Sequence, residues 1–100
     1  MVYTDMISDY PFCDGKAMTQ DEIKFLQEFG RRIRYYRRLK ALTQEQLGEI
    51  SSVGYKHIGE IERGRKKASV IIIYRLARAL ETSITDLINF SDEIEDINNR

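Results

Sequence analysis

Leu26, Phe29, Ile33 and Tyr36 recur at steps of three and four residues, which draws one apolar stripe along a helix. Thr19-Gln-Asp-Glu22 supplies a capping box at its start. The Thr19 hydroxyl is placed to accept an orphan amide hydrogen bond, and the Glu22 carboxylate to reach back to the cap amide. The pattern predicts a helix from there to about Lys40, with Arg31, Arg32, Arg34 and Arg38 largely off the buried stripe. Gly30 interrupts it at a cost of roughly 1 kcal/mol against alanine, which predicts local fraying.

Four shorter segments follow. Thr43, boxed with Gln46, opens a helix over 44–51 that buries Leu47 and Ile50. Ser52-Val53-Gly54 breaks it, and a third helix over 55–62 buries Ile58 and Ile61. Gly64 suits the left-handed position just past that helix. Ser69 caps a fourth, about 70–81, with Ile73, Leu76, Ala77 and Leu80 inward. Val70 to Ile73 is a β-branched run that resembles a strand, but the stripe carries on through Leu80 and favours helix. Ser83 caps a fifth, using Ile84, Leu87 and Ile88.

Residues 1–18 show no clear period, hold the single proline, Pro11, and include a turn-like Cys13-Asp14-Gly15. They read as a flexible or loosely docked arm. The tail, 91–100, is acidic, yet Ile94 and Ile97 keep a helical step, which leaves a short sixth helix or disorder open. No strand pattern, internal repeat or low-complexity segment is evident. The expected fold is all-α: a compact five-helix domain over 19–90 between an N-terminal arm and an acidic C-terminal tail.

One hundred residues, 42% apolar and 32% charged, suffice for one small core. No run approaches the roughly 20 apolar residues of a membrane span, and the N-terminus lacks a basic region before an apolar stretch. A cytoplasmic protein is the simplest expectation. The single cysteine, Cys13, excludes an internal disulfide framework and a multi-cysteine zinc site. There is no nucleophile–base constellation, no clustered metal-ligand set and no phosphate-cradling glycine loop, so an enzyme is not expected, nor a cofactor. The formal net charge is zero, but it is unevenly spread: −4 over residues 1–22, +9 over 23–80 and −5 over 81–100. That asymmetry predicts a basic functional surface with acidic flanks; the alternative is a well-solvated helical surface.

The informative segment is Thr43–Gly64, TQEQLGEISSVGYKHIGEIERG. Two short helices joined by a tight turn leave the second projecting, and a helix of this size fits the DNA major groove. Gly48 falls where the two helices would approach closely, and Val53 and Ile58 pin the turn and the second helix to the core. Tyr55, Lys56, Gly59 and Glu60 are thereby expected on the outer face, with Arg63 at its end. Lys56 has the chemistry to donate to guanine O6 and N7, and Glu60 to accept from cytosine N4.

TQEQL, then IGEIERGRKKAS, then LARALETSITDLI make residues 26–90 resemble the lambda-repressor-like, or XRE-type, helix-turn-helix domain of phage repressors and bacterial regulators. The resemblance implies a DNA-binding set at Thr43, Gln44, Tyr55, Lys56, His57, Glu60, Arg63, Arg65, Lys66 and Lys67. Gln44 matches a residue that binds phosphate and braces base-reading side chains; Tyr55, Lys56 and Glu60 match base-reading positions. His57 matches a site that touches the sugar-phosphate backbone, and Arg63, Arg65, Lys66 and Lys67 match a phosphate-gripping loop. Arg37 and Glu62 match a partly buried structural ion pair between the first and third helices. Three departures stand out. Ser52 replaces a glycine at a position that tends to need positive φ, Gly54 replaces a Ser or Thr cap, and Gly59 is an extra interior glycine. Ala68 stands where the family usually has proline.

The resemblance implies a sequence-specific double-stranded-DNA-binding regulator, a repressor acting as a homodimer on a pseudo-palindromic site. Its competitors are an antitoxin-type module that neutralises a protein partner, and a controller of a restriction–modification operon. Ile71 and Ile72 exceed what one buried stripe requires; with Phe90, Ile94 and Ile97 they are candidates for the dimer contact, against local packing under the arm or tail. The tail either solubilises the chain or folds over the basic face and competes with DNA.

Overall fold

A computed structural model of the chain describes residues 12–13 and 16–90. Both capping boxes form. Thr19 Oγ1 accepts from the Glu22 amide at 3.1 Å while Glu22 Oε1 accepts from the Thr19 amide at 2.9 Å. Thr43 and Gln46 repeat the exchange at 3.0 and 2.8 Å. The helices they open are α1, Gln20–Leu39, and α2, Gln44–Ser51. Then come α3, Tyr55–Glu62, α4, Val70–Ala79, and α5, Ile84–Ile88. Ser69 and Ser83 cap the last two through their hydroxyls, at 3.2 and 3.0 Å.

The predicted five helices are all present, and α4 ends two residues before 81. Its last turn closes when the Glu81 amide donates to Arg78 and the Thr82 amide to Ala77. That pattern needs a left-handed residue, and Glu81 supplies it at φ 57°. Ala41 does the same after α1 at φ 56°, and Gly64 after α3 at φ 74°.

Ahead of α1 stands a short hairpin that the sequence pattern did not predict. Strand β1, Phe12–Cys13, pairs antiparallel with β2, Lys16–Ala17. Asp14-Gly15 between them is a strong two-residue hairpin signal, but strands of two residues are too short to show alternation. The other arm residues, 1–11, and the proposed sixth helix at 91–100 lie outside the described residues.

Phe29 and Ile33 of α1 meet Leu47, Ile58, Ile61, Leu76 and Leu87, one or two residues from every helix, in a single buried cluster. Gly30 does not fray α1; it lets α1 cross α3 backbone to backbone. A Cβ there would stand 2.2 Å from the Ile61 carbonyl oxygen and 2.7 Å from that of Glu62. Ile50, expected inward, is 57% exposed. The buried seam of α2 runs from Leu47 to Ser51, a step of four, which turns Ile50 aside. Ser51 tolerates burial because its Oγ accepts from the Val53 amide at 3.3 Å. Ile84 and Ile88 are likewise exposed, since five residues of α5 present only Leu87 to the core.

Arg32 fastens the end of α5 to α1. It donates to the carbonyls of Asp86 and Asn89 and lies 5.5 Å over the Phe90 ring. Phe90 in turn packs against Phe25 of α1, ring centroids 5.2 Å apart. No helix among the described residues is long and apolar enough to cross a membrane.

Candidate nucleic-acid interface

The turn between α2 and α3 is built around Ser52 at φ 61°, ψ 30°. Arg75 reaches from α4 and donates to the Ser52 carbonyl at 3.3 Å. The backbone therefore takes the left-handed geometry that glycine usually supplies, at a cost of roughly 1–2 kcal/mol for a residue with a Cβ. Gly48 makes the close approach expected of it: a Cβ there would lie 2.8 Å from the Val53 carbonyl oxygen. Gly54 stands at the N-cap of α3 and lends no side-chain hydrogen bond.

From this turn α3 projects with two unlike sides. Ile58 and Ile61 are fully buried, and Glu62 is 5% exposed. Tyr55, Lys56 and Arg63 are exposed, and Glu60 is half-buried. Gly59 departs from expectation: it is buried rather than on the outer face. The side chains of Gln44 and Arg63 cover it, each with an atom 3.4 Å from where a Cβ would stand. Glu60 and Arg63 pair at 3.2 Å across one helical turn.

Glu62 ties three helices together. Arg37 Nε and Nη2 donate to its two oxygens at 2.6 and 3.0 Å, the predicted ion pair. Two further partners were not foreseen. Gln44 Nε2 donates at 3.0 Å and Arg34 Nε at 3.4 Å, both to Oε1. Arg34 lies three residues from Arg37, so both reach one side of α1; that spacing was the available signal. Burial pushes the Glu62 carboxyl up. The hydrogen bonds from Arg37 and Gln44, with the Arg37 charge, outweigh it and hold the carboxyl below its usual range. Arg37 is correspondingly raised by its bond to Glu62, against its own desolvation. Arg37 also donates to the Leu42 carbonyl at 2.8 Å.

Thr43 is exposed, with its hydroxyl engaged at the α2 cap. His57 is half-buried, and its Nε2 is enclosed with no hydrogen-bond partner among the described residues. Burial lowers its pKa, Lys66 lowers it further and Glu60 opposes them. Arg65, Lys66 and Lys67 follow Gly64 in an exposed loop. The described residues hold no group of three His, Cys, Asp or Glu side chains able to bind a metal.

The helix-turn-helix model HTH_3 matches residues 33–87. An uncharacterized HTH-type transcriptional regulator of Sinorhizobium fredii, y4dJ, is 40% identical over 57 residues, which cover 57% of this chain and 74% of the relative. The control protein C.SmaI of Serratia marcescens is 39% identical over 56 residues, covering 56% of this chain and 67% of that protein. The crystal structure of the restriction–modification controller C.AhdI from Aeromonas hydrophila superposes with a TM-score of 0.61 at 37% identity, over 62% of this chain and 94% of the controller. With the fold, the turn and the matched span in agreement, the chain belongs to the HTH_3 helix-turn-helix family of DNA-binding transcriptional regulators, a class that is not enzymatic.

Proposed function

We propose that this regulator binds double-stranded DNA sequence-specifically, as a repressor, by laying α3 in the major groove. One observation carries the reading: α3 offers Tyr55, Lys56 and Glu60 outward while Glu62, on its opposite side, is locked to α1 and α2. A reading helix has to be held rigidly from behind for a base contact to discriminate. Lys56 donates to guanine, Glu60 accepts from cytosine once released from Arg63, and Tyr55 packs on a neighbouring base. Thr43 and Gln44 approach the phosphates at the start of α2, where the helix dipole favours an anion. Arg63, Arg65, Lys66 and Lys67 supply the salt-dependent, sequence-independent part of affinity, and His57 meets the sugar-phosphate backbone.

A homodimer presents two such helices about 34 Å apart to a pseudo-palindromic site. Of the candidate dimer residues, Ile72 and Phe90 are half-buried against their own core. Ile71 is 55% exposed beside Val70 and Tyr74, which makes α4 the better contact face. A cytoplasmic location is in keeping with a DNA target. Within this class, a restriction–modification controller is the favoured variant, because C.SmaI and C.AhdI both resemble the chain at close to 40% identity.

Selection of bound duplexes from a random pool tests the reading. A recovered palindrome with half-sites one helical turn apart supports it. A pool that stays random after repeated rounds refutes sequence-specific binding.

A further inference from the structure

The outer side of α1 carries a seam that neither the core nor the DNA-binding role uses. Asp21, Lys24, Glu28, Arg31, Tyr35 and Arg38 recur at alternating steps of three and four residues, which places them along one line of the helix. All are exposed except Glu28, which is half-buried. Glu28 and Arg31 pair with each other at 3.2 Å. Asp21, Lys24 and Arg38 form no ion pair among the described residues. Tyr36 braces the Tyr35 ring edge-on, with centroids 5.1 Å apart, and leaves it 57% exposed.

This seam is complementary to its own reverse. Laid antiparallel on a second copy, about a two-fold axis level with Phe29 and Gly30, Asp21 faces the second copy's Arg38. Lys24 then faces the second copy's Tyr35 ring, and Glu28 its Arg31. The symmetry makes every contact occur twice. The two Glu28–Arg31 pairs meet at the axis as a square of alternating charges. A parallel pairing would instead set each charge against its like. The antiparallel one also brings the positive end of each helix beside the negative end of the other. Phe25 and Leu39, both exposed, border the seam on one flank and add apolar area. Gly30, where α3 crosses, lies roughly 130° around α1 from the middle of the seam, so the second copy leaves α3 uncovered.

We propose that α1 is a self-association surface: two copies pair antiparallel through this seam, independently of DNA and of the α4 contact proposed above. Exposed ion pairs contribute little singly, so the association is weak and falls as salt screens it. Copies already joined at α4 each keep an open α1 seam, and the two contacts together build assemblies larger than a pair.

Two charge-reversed full chains test the pairing, one carrying Asp21→Lys and the other Arg38→Glu. Circular dichroism checks that each folds, and sedimentation equilibrium at low salt reads the mass. In either variant alone the outer ion pairs become repulsions, and the dissociation constant of the α1 contact should rise roughly tenfold or more. In an equimolar mixture each reversed charge meets its opposite on the other variant, so association should return to near the parent's level. That gain is read equally well from monomers or from α4-linked pairs. A mixture as dissociated as its components overturns the proposal, and so does a parent whose association is indifferent to salt. A second measurement keeps the seam intact. A chain carrying Cys13→Ser and Gln20→Cys, with a nitroxide at residue 20, is mixed with an isotope-labelled, nitroxide-free chain. The Leu39 and Lys40 amide signals of the isotope-labelled chain should lose most of their intensity. No loss, or loss confined to Ile71 and Tyr74, overturns the α1 pairing, and the latter result would leave the α4 contact standing.

Discussion

Replacing Gly30 with alanine sets two physical effects against each other. Helix propensity favours the change, because an interior glycine costs roughly 1 kcal/mol against alanine. Packing opposes it. The new Cβ would lie 2.2 Å from the Ile61 carbonyl oxygen and 2.7 Å from that of Glu62, so α3 has to retreat by about 1.2 Å to reach an ordinary 3.4 Å contact. The obstacle is backbone and has no rotamer to escape into. Its retreat opens space around Ile58 and Ile61, both fully buried. It also stretches the 2.6 Å bond between Arg37 and Glu62. Overpacking of this kind costs roughly 1–3 kcal/mol, occasionally more, and a charged hydrogen bond contributes roughly 1.5–3 kcal/mol. With the propensity gain deducted, Gly30→Ala should destabilise the fold by about 3 kcal/mol, a fall in Tm of roughly 12–24 °C for a domain of this size. Gly59→Ala is the matched control. Its Cβ meets only side-chain atoms, at 3.4 Å, so propensity prevails and stability should rise by roughly 0.5–1 kcal/mol. Urea unfolding followed by circular dichroism measures both. A Gly30→Ala protein as stable as the parent would refute the close crossing of α1 and α3.

Ser52→Gly relieves the left-handed strain in the turn and should raise the urea midpoint, by roughly 0.5–1 kcal/mol after the entropy cost of glycine; a lower midpoint would show that Ser52 is not strained. Glu62 has a folded pKa below its unfolded one, so its stabilisation is complete above the unfolded value of 4.5 and lost as pH falls through the lower folded value. The stability gap between the parent and Glu62→Gln should therefore shrink below pH 4.5 in acid titrations of the urea midpoint, and a constant gap would contradict the buried network. Lys56→Ala should relax base preference at one half-site position, whereas replacing Lys66 and Lys67 should weaken binding to all sequences and flatten the salt slope. Gel shifts on specific and random duplexes separate the two, and equal effects would undo the division between reading and gripping.

Caps and stripes were legible because each is local: Thr19, Thr43, Ser69 and Ser83 all cap the helices their spacing announced. Ser52 was legible too, since a family glycine replaced by a larger residue pointed to positive φ, and φ is 61°. What escaped depended on the third dimension. An eight-residue helix fits more than one apolar seam, so nothing within α2 itself reveals that Ser51 rather than Ile50 turns inward. Gly30 read as a weak point because its partner, the α3 backbone at Ile61 and Glu62, is far away along the chain. Gly59 read as an outer-face residue because the side chains that cover it, Gln44 and Arg63, belong to α2 and to the end of α3. The Arg37–Glu62 pair followed from the resemblance, but the bonds from Gln44 and Arg34 required the helices to be assembled.

The lengthwise division of α3 bears on how such a protein changes its target. Ile58, Ile61 and Glu62 commit one side to the core, while the outward residues Tyr55, Lys56 and Glu60 contribute little to it. Exposed substitutions away from such commitments usually shift stability by less than roughly 0.5 kcal/mol. Under the proposed reading of DNA by α3, new operator preferences are therefore open to this fold by single steps that leave folding intact, and a library randomised at those three positions should yield mostly folded members with divergent targets.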